Sequence, residues 1–272
     1  ALDSVEAGGV DNTAIGSLSG TAITTGDRNT SVGSCSLSTV SAGSRNTAIG
    51  YNSLKLNTGS CNTGIGEQAL TSNTTGIKNT GIGRGALAAN TEGDGNVAVG
   101  DGTLDANTTA DNNTAVGRNA LTANTTGAEN TSVGTYSLRS ATTASYNTAV
   151  GNCALCSQTT GISNSAFGYL ALKSSTTGTL NTALGMNSML GTTSGANNVA
   201  VGHNSLRCNT TASNNVAVGL CSLYNNTTGI QNTAIGDCTL ATSTTSSGHT
   251  ALGHCALSAM TSGYSNTAVG AF

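Results

Sequence analysis

The chain contains no proline and no tryptophan, aromatics make up 3% of it and charged residues 8%. A net charge of -3 supplies neither the basic surface that phosphate binding needs nor a strong acidic field, so nucleic acid is not an expected partner. Disordered chains of comparable polarity usually carry proline and high charge, so this composition does not fit disorder. No run of about 18 apolar residues is present, so no membrane-spanning helix is expected. No basic segment followed by an apolar one opens the sequence, and a secreted product would already have lost its leader. What is abundant is glycine, with 37 residues, alongside threonine, asparagine, serine and alanine, and there are 8 cysteines. In a chain this polar the cysteines lean toward an oxidising, extracellular setting.

A motif close to Asn-Thr-Ala-(Ile/Val)-Gly begins at Asn12, Asn29, Asn46, Asn62, Asn79, Asn96, Asn113, Asn130, Asn147, Asn164, Asn181, Asn198, Asn215, Asn232, His249 and Asn266. The spacing is 17 residues except for one 16-residue step from Asn46 to Asn62. The unit reads N-T-A-V-G-x-N-A-L-x-A-N-T-T-G-x-x, and Asn113 to Glu129 matches it closely. The fourth position is always apolar, as at Val99, Val116, Val133 and Val150. The ninth is leucine in nearly every copy, as at Leu104, Leu121, Leu138 and Leu155. These two columns are the expected core.

Such a unit is too short for a helix pair, and its β-branched residues and glycine or asparagine corners favour strand and turn. The expected fold is all-β, a β-solenoid or β-roll of about sixteen 17-residue coils, one per NTA(V/I)GxxALxxNTTGxx repeat. In the Asn113 copy one strand is expected over Thr114 to Val116 and a second near Ala120 to Thr122, with turns at Gly117 and from Asn124 to Gly127. Coils stacked at about 4.8 Å would give a rod of roughly 77 Å. Equivalent asparagines, including Asn96, Asn113, Asn130 and Asn147, are expected to form an amide ladder along one corner. Strand alternation leaves two arrangements. Either Val116 and Thr114 point inward, or the small Ala115 column faces a narrow interior and the threonine and valine columns form an outer face covered by another chain.

The organisation is a partial coil over 1–11, tandem repeats over 12–265 and a partial coil over 266–272. Residues 1–11 correspond to the seventh to seventeenth positions, and the last repeat stops at its seventh. One copy's end could therefore complete a coil with the next copy's start, giving head-to-tail stacking. The residues expected at that junction are Ala1, Leu2, Val5, Val10, Val269 and Phe272.

The NTGIGEQAL segment from Asn62 and NTAVGRNAL from Asn113 resemble repeats of phage and bacterial tail-fibre-type proteins. They are more distantly similar to the head β-roll of trimeric autotransporter adhesins. The resemblance covers nearly the whole chain and implies extracellular, often trimeric fibres built for reach or attachment. The chain departs from those families in showing no self-cleaving chaperone domain, no heptad stalk and no membrane anchor.

Cys221, Cys238 and Cys255 share the seventh position on consecutive rungs, close enough for a disulfide staple, with Cys208 a poorer partner. The competing reading is small side chains filling a corner. Cys153 and Cys156 have the CxxC spacing of redox and zinc sites but bracket the core Leu155. His254, His249, Cys255 and Cys238 lack the ligand spacing of a designed zinc site. No nucleotide loop and no catalytic triad or carboxylate pair stands out, and Glu67, Asp101 and Asp105 occupy variable positions that should face solvent. Sequons at Asn29, Asn73, Asn107, Asn112, Asn124, Asn130, Asn209, Asn225 and Asn226 arise from the repeat itself; surface glycans are expected at the turn holding Asn73, Asn107 and Asn124. Threonine columns through Thr114 and Thr125 suggest ice binding as a rival, weakened by Val97, Ser165, Val199 and Val216 in the first. The function expected is thus structural and non-enzymatic: an extracellular filament subunit on a cell surface, on a virion or secreted, with no cofactor. Its partner is itself, head-to-tail and in a lateral trimer or bundle. A shaft fragment of an adhesive fibre is the alternative.

Overall fold

The computed structural model describes residues 9–39 and 42–271. Ala1, Leu2, Val5 and Phe272 of the expected junction lie outside them. The fold is a parallel β-solenoid with one three-residue strand per repeat, spanning the second to fourth positions, from β1 (Thr13–Ile15) to β16 (Thr267–Val269). The chain divides into two units, Ala1–Thr135 and Tyr136–Phe272.

In the first unit, β1 to β8 (Thr131–Val133) pair in sequence order, all parallel and in register, so that each position of the repeat lies beside its equivalent: threonine beside threonine except where Val97 stands between Thr80 and Thr114, and valine or isoleucine beside valine or isoleucine. The short repeat does not disturb this, since Thr47 still pairs with Thr63. The second unit repeats the arrangement from β9 (Thr148–Val150) to β16.

The core differs from the expectation in one column. Leu104, Leu121, Leu138 and Leu155 are fully buried, as expected. The residues that face them across the coil are the third-position alanines, such as Ala98, Ala115 and Ala149, and the small eighth-position residues, such as Ala120 and Ala154, all fully buried. Val99 and Val150 are half-exposed, and Val116 and Val133 are exposed at 37% and 36%. The fourth position is therefore an outer column. Alternation forces the second and fourth side chains to one face and the third to the other. A coil of this length encloses one leucine and two small residues, and a second branched column inside would need a wider loop. Serine also fits the interior when its hydroxyl finds a carbonyl, as Ser188 Oγ does at Ala200 O (3.1 Å) and Ser222 Oγ at Ala234 O (3.0 Å).

The expected second strand is a run of turns instead. Asn119 and Leu121 adopt left-handed φ of 52° and 53°, and the same two positions do so along the chain, as at Cys153 and Leu155 (57° and 51°). Asparagine tolerates this conformation but leucine does not favour it, at a cost of about 1–2 kcal/mol. Burying a leucine contributes about 1.5–3 kcal/mol, and the backbone is also bonded rung to rung, as in Leu104 N to Ala120 O (3.0 Å). Packing therefore overrides local preference.

Gly117, at the corner after the strand, has φ of +129°, and a Cβ there would lie 2.7–2.8 Å from the carbonyl group of Gly134 in the next rung. The repeat's fixed glycine follows from that approach.

Candidate functional site: ladders, outer ridge and open edge

The first-position asparagines form the expected ladder. Within each unit an Oδ1 accepts the backbone N–H of the asparagine one rung on, as Asn96 does from Asn113 (2.9 Å), Asn113 from Asn130 (3.0 Å) and Asn147 from Asn164 (3.0 Å). The side-chain amides also bond, Asn130 Nδ2 donating to Asn113 Oδ1 at 3.0 Å. A further Nδ2 bond ties the turn, from Asn113 to Gly127 O (2.9 Å) and from Asn147 to Gly161 O (3.0 Å). All four are buried. His249 keeps the pattern: its N–H donates to Asn232 Oδ1 (3.0 Å), and its Nδ1 accepts from Asn266 N (3.2 Å).

A second ladder runs through the twelfth position. Asn73 Nδ2 donates to Asn57 Oδ1 (2.6 Å), Asn90 to Asn73 (2.7 Å), Asn107 to Asn90 (2.7 Å) and Asn124 to Asn107 (3.0 Å). Reading these residues only as sequons hid the ladder, although the spacing that exposed the first one was available. The finding also corrects the glycan expectation. Asn73, Asn107 and Asn124 are fully buried, and the Nδ2 that a sugar would occupy is donated inside the coil. Asn29, Asn130, Asn209 and Asn226 are buried too. Asn112 is exposed and Asn225 half-buried, so these two sequons present accessible side chains.

At the thirteenth position the threonine hydroxyls are committed between rungs, Thr91 Oγ1 to Thr108 O and Thr108 Oγ1 to Thr125 O, both 3.1 Å. This column is less free to order water than the ice-binding reading requires. At the sixteenth position, aspartate or serine accepts a backbone N–H from the preceding rung, as Asp94 Oδ1 does from Ile77 (2.7 Å) and Ser247 Oγ from Ile230 (3.0 Å). Nothing in the variable composition of that position had pointed to this role.

Two surfaces expose apolar side chains. The first is the outer face of the strands, where the fourth-position column places Ile49, Ile82, Val116 and Val133 outward in one unit and Phe167, Leu184, Ile235 and Leu252 in the other, each 36% to 47% exposed. The half-buried Thr114 column runs alongside. The second is the edge at β16. Val269 is 74% exposed, and an open groove of about 450 Å³ lies between Cys255–Met260 and Ala268–Ala271. Leu257, at the core position, is only half-buried there. Near the other end, Val10 is 53% exposed and already stacks as a coil residue, its N–H bonding Asp27 Oδ1 (2.9 Å) and its carbonyl accepting from Arg28 N (2.9 Å).

All eight cysteines are free thiols. Cys221, Cys238 and Cys255 stack on consecutive rungs, whereas Cys208 lies elsewhere on the coil, its N–H bonding Tyr224 O (3.0 Å). Cys153 and Cys156 share one turn, and burial, then a hydrogen bond with Cys153, pushes the Cys156 thiol up to about 11. His254 Nε2 sits 3.6 Å from Cys255 Sγ. Among the described residues no group of three or more histidine, cysteine or acidic side chains is placed to hold a metal ion. Glu67 and Asp105 are exposed, and Asp101 pairs with Arg84 Nη2 at 2.9 Å on the surface.

No family model and no curated protein matches the chain.

Proposed function

We propose that this chain is a structural subunit of an extracellular fibre, extended by stacking the first coil of one copy on the last coil of another. The observation that carries the reading is translational pairing in one register. Thr13 N donates to Asn29 O (2.8 Å) and Thr250 N to Asn266 O (2.9 Å), so one side of every coil complements the opposite side of every other. The exposed β16 edge, with the groove beside it, is such a side, and an open strand edge templates further pairing. A heterologous contact of this kind does not close and yields a filament.

The exposed aliphatic column favours lateral contact as well, with a second or third copy covering it in a trimer or bundle. The resemblance to tail-fibre and autotransporter-head repeats supports the same assignment and an adhesive shaft as its nearest variant. An extracellular location, whether secreted, at a cell surface or on a virion, goes with that assignment.

Negative-stain electron microscopy of the 272-residue chain tests it. Long thin fibres are the expected result, with a reflection near about 4.8 Å along the axis in X-ray fibre diffraction of the same sample. Thr267→Pro, which removes a donor directed to the open side, should shorten them while leaving the circular dichroism unchanged. Isolated particles one chain in length would overturn axial assembly.

A further inference from the structure

We propose that Cys221, Cys238 and Cys255 form a redox-responsive thiol column in which Cys238 is the shared partner of two mutually exclusive disulfides. The three residues are held in equivalent places. Their N–H groups bond the sixth-position carbonyl of the preceding coil, Cys221 to His203 (3.0 Å), Cys238 to Leu220 (2.8 Å) and Cys255 to Asp237 (2.9 Å). Their φ angles are 53°, 53° and 57°, so the three Cβ atoms leave the backbone in one direction. All three are half-buried, which leaves them open to a small oxidant.

Adjacent members are one rung apart, about 4.8 Å between Cα atoms, inside the 4.4–6.8 Å that a disulfide accepts. Parallel Cβ directions start the pair a few tenths of an ångström wide of the usual Cβ separation of about 3.5–4.5 Å, so closure requires a small lean of the two turns. Cys221 and Cys255 are two rungs apart, about 9.6 Å, and cannot bridge. The column can therefore hold one disulfide at a time, always through Cys238.

Oxidised glutathione is a sufficient oxidant. Two protein thiols lose two protons and two electrons as the sulfur–sulfur bond forms, and the glutathione disulfide takes up both to become two thiols. The remaining outer thiolate then faces Cys238 Sγ from the side opposite the bonded partner. If Cys255 attacks, the Cys255–Cys238 bond forms as the Cys238–Cys221 bond breaks and Cys221 leaves as the thiolate. Translational stacking supplies the in-line approach that exchange at sulfur requires. The Cys238 thiol is raised by burial and then by Cys221 and Cys255 on either side, which makes Cys238 a poor leaving group and suits its sulfur to being the one attacked.

The test is to incubate the full chain with oxidised glutathione, quench with acid, alkylate, and map chymotryptic peptides without reduction. Both Cys221–Cys238 and Cys238–Cys255 linkages are expected in the wild type. Cys255→Asn should retain only the first and Cys221→Asn only the second, while Cys238→Asn removes both; asparagine already occupies this column at Asn187 and Asn204. Unchanged circular dichroism will show that each variant keeps its fold. Three fully alkylated or singly glutathionylated thiols in the wild type, or a Cys221–Cys255 link in Cys238→Asn, would overturn the proposal.

Discussion

The two asparagine columns occupy different corners of the same coil and tolerate change very differently. The first-position column continues through both units, and its single departure, His249, supplies Nδ1 where an amide oxygen would stand. The twelfth-position column is a run of amides from Asn57 to Asn124 in the first unit, but in the second it reads Ala141, Gln158, Ser175, Thr192, Asn209, Asn226 and Ser243. The difference lies in what each oxygen accepts. A first-position Oδ1 receives a backbone N–H, which a buried chain must satisfy. A twelfth-position Oδ1 receives only another side chain, so the residue beyond it is optional. Most of the cost, in buried twelfth-position polar atoms without partners, falls in the second unit, at Gln158 Oε1, Ser175 Oγ, Asn226 Oδ1 and Ser243 Oγ, against Asn124 Oδ1 in the first.

That contrast can be broken by substitution. Asn113→Ala should be the most damaging, because it strands the buried Asn130 N–H and leaves the Gly127 carbonyl with only the bond from Asn124 Nδ2. A loss of about 2–3 kcal/mol is expected, read by denaturant unfolding and by faster hydrogen exchange at Asn130. Asn107→Ala removes bonds to Asn90 Oδ1 and Ala110 O but no backbone donor loses its acceptor, so a loss of about 1 kcal/mol is expected. Equal losses at the two corners would show that the distinction is wrong. Ser243→Asn should move the other way, by about 0.5–1.5 kcal/mol in thermal unfolding, because its Nδ2 can satisfy Asn226 Oδ1.

The smallest effect sharpens the contrast near the same weakened corner, two residues before Gln158. Cys156 has its thiol raised from 9.0 to about 11 by burial and by Cys153. The folded chain therefore holds that proton more tightly than the unfolded one. Its contribution to stability is complete below pH 9 and is lost as pH rises toward 11. Alkylation of Cys156 should stay slow across neutral pH and quicken only in that range, while Cys61, exposed, reacts earlier.

Much of this was legible in the repeat. Period, strand position, the leucine core and the first ladder each leave a mark that recurs every coil. The facing of the strand was not, because three residues alternate only once and Thr-Ala-Val satisfies either orientation. The turns at Asn119 and Leu121 were hidden because leucine does not signal a left-handed backbone; its burial imposes one. The Asp94 and Ser247 caps were hidden for another reason, since each acts on a backbone N–H one rung away, which a reading within a single repeat does not connect.

The one short repeat shows where the coil has slack. Between Asn57 and Gly59 stands only Thr58, where the next copy has Thr74 and the exposed Thr75. Thr58 N and Gly59 N still reach Thr74 O, at 2.7 and 3.0 Å, and the strand register is kept. A residue can thus be dropped at this bend without rotating any face of the coil. The same bend recurs from repeat to repeat, so each such coil has a port where added sequence would be displayed outward while its own ladder, core and strand residues keep their places.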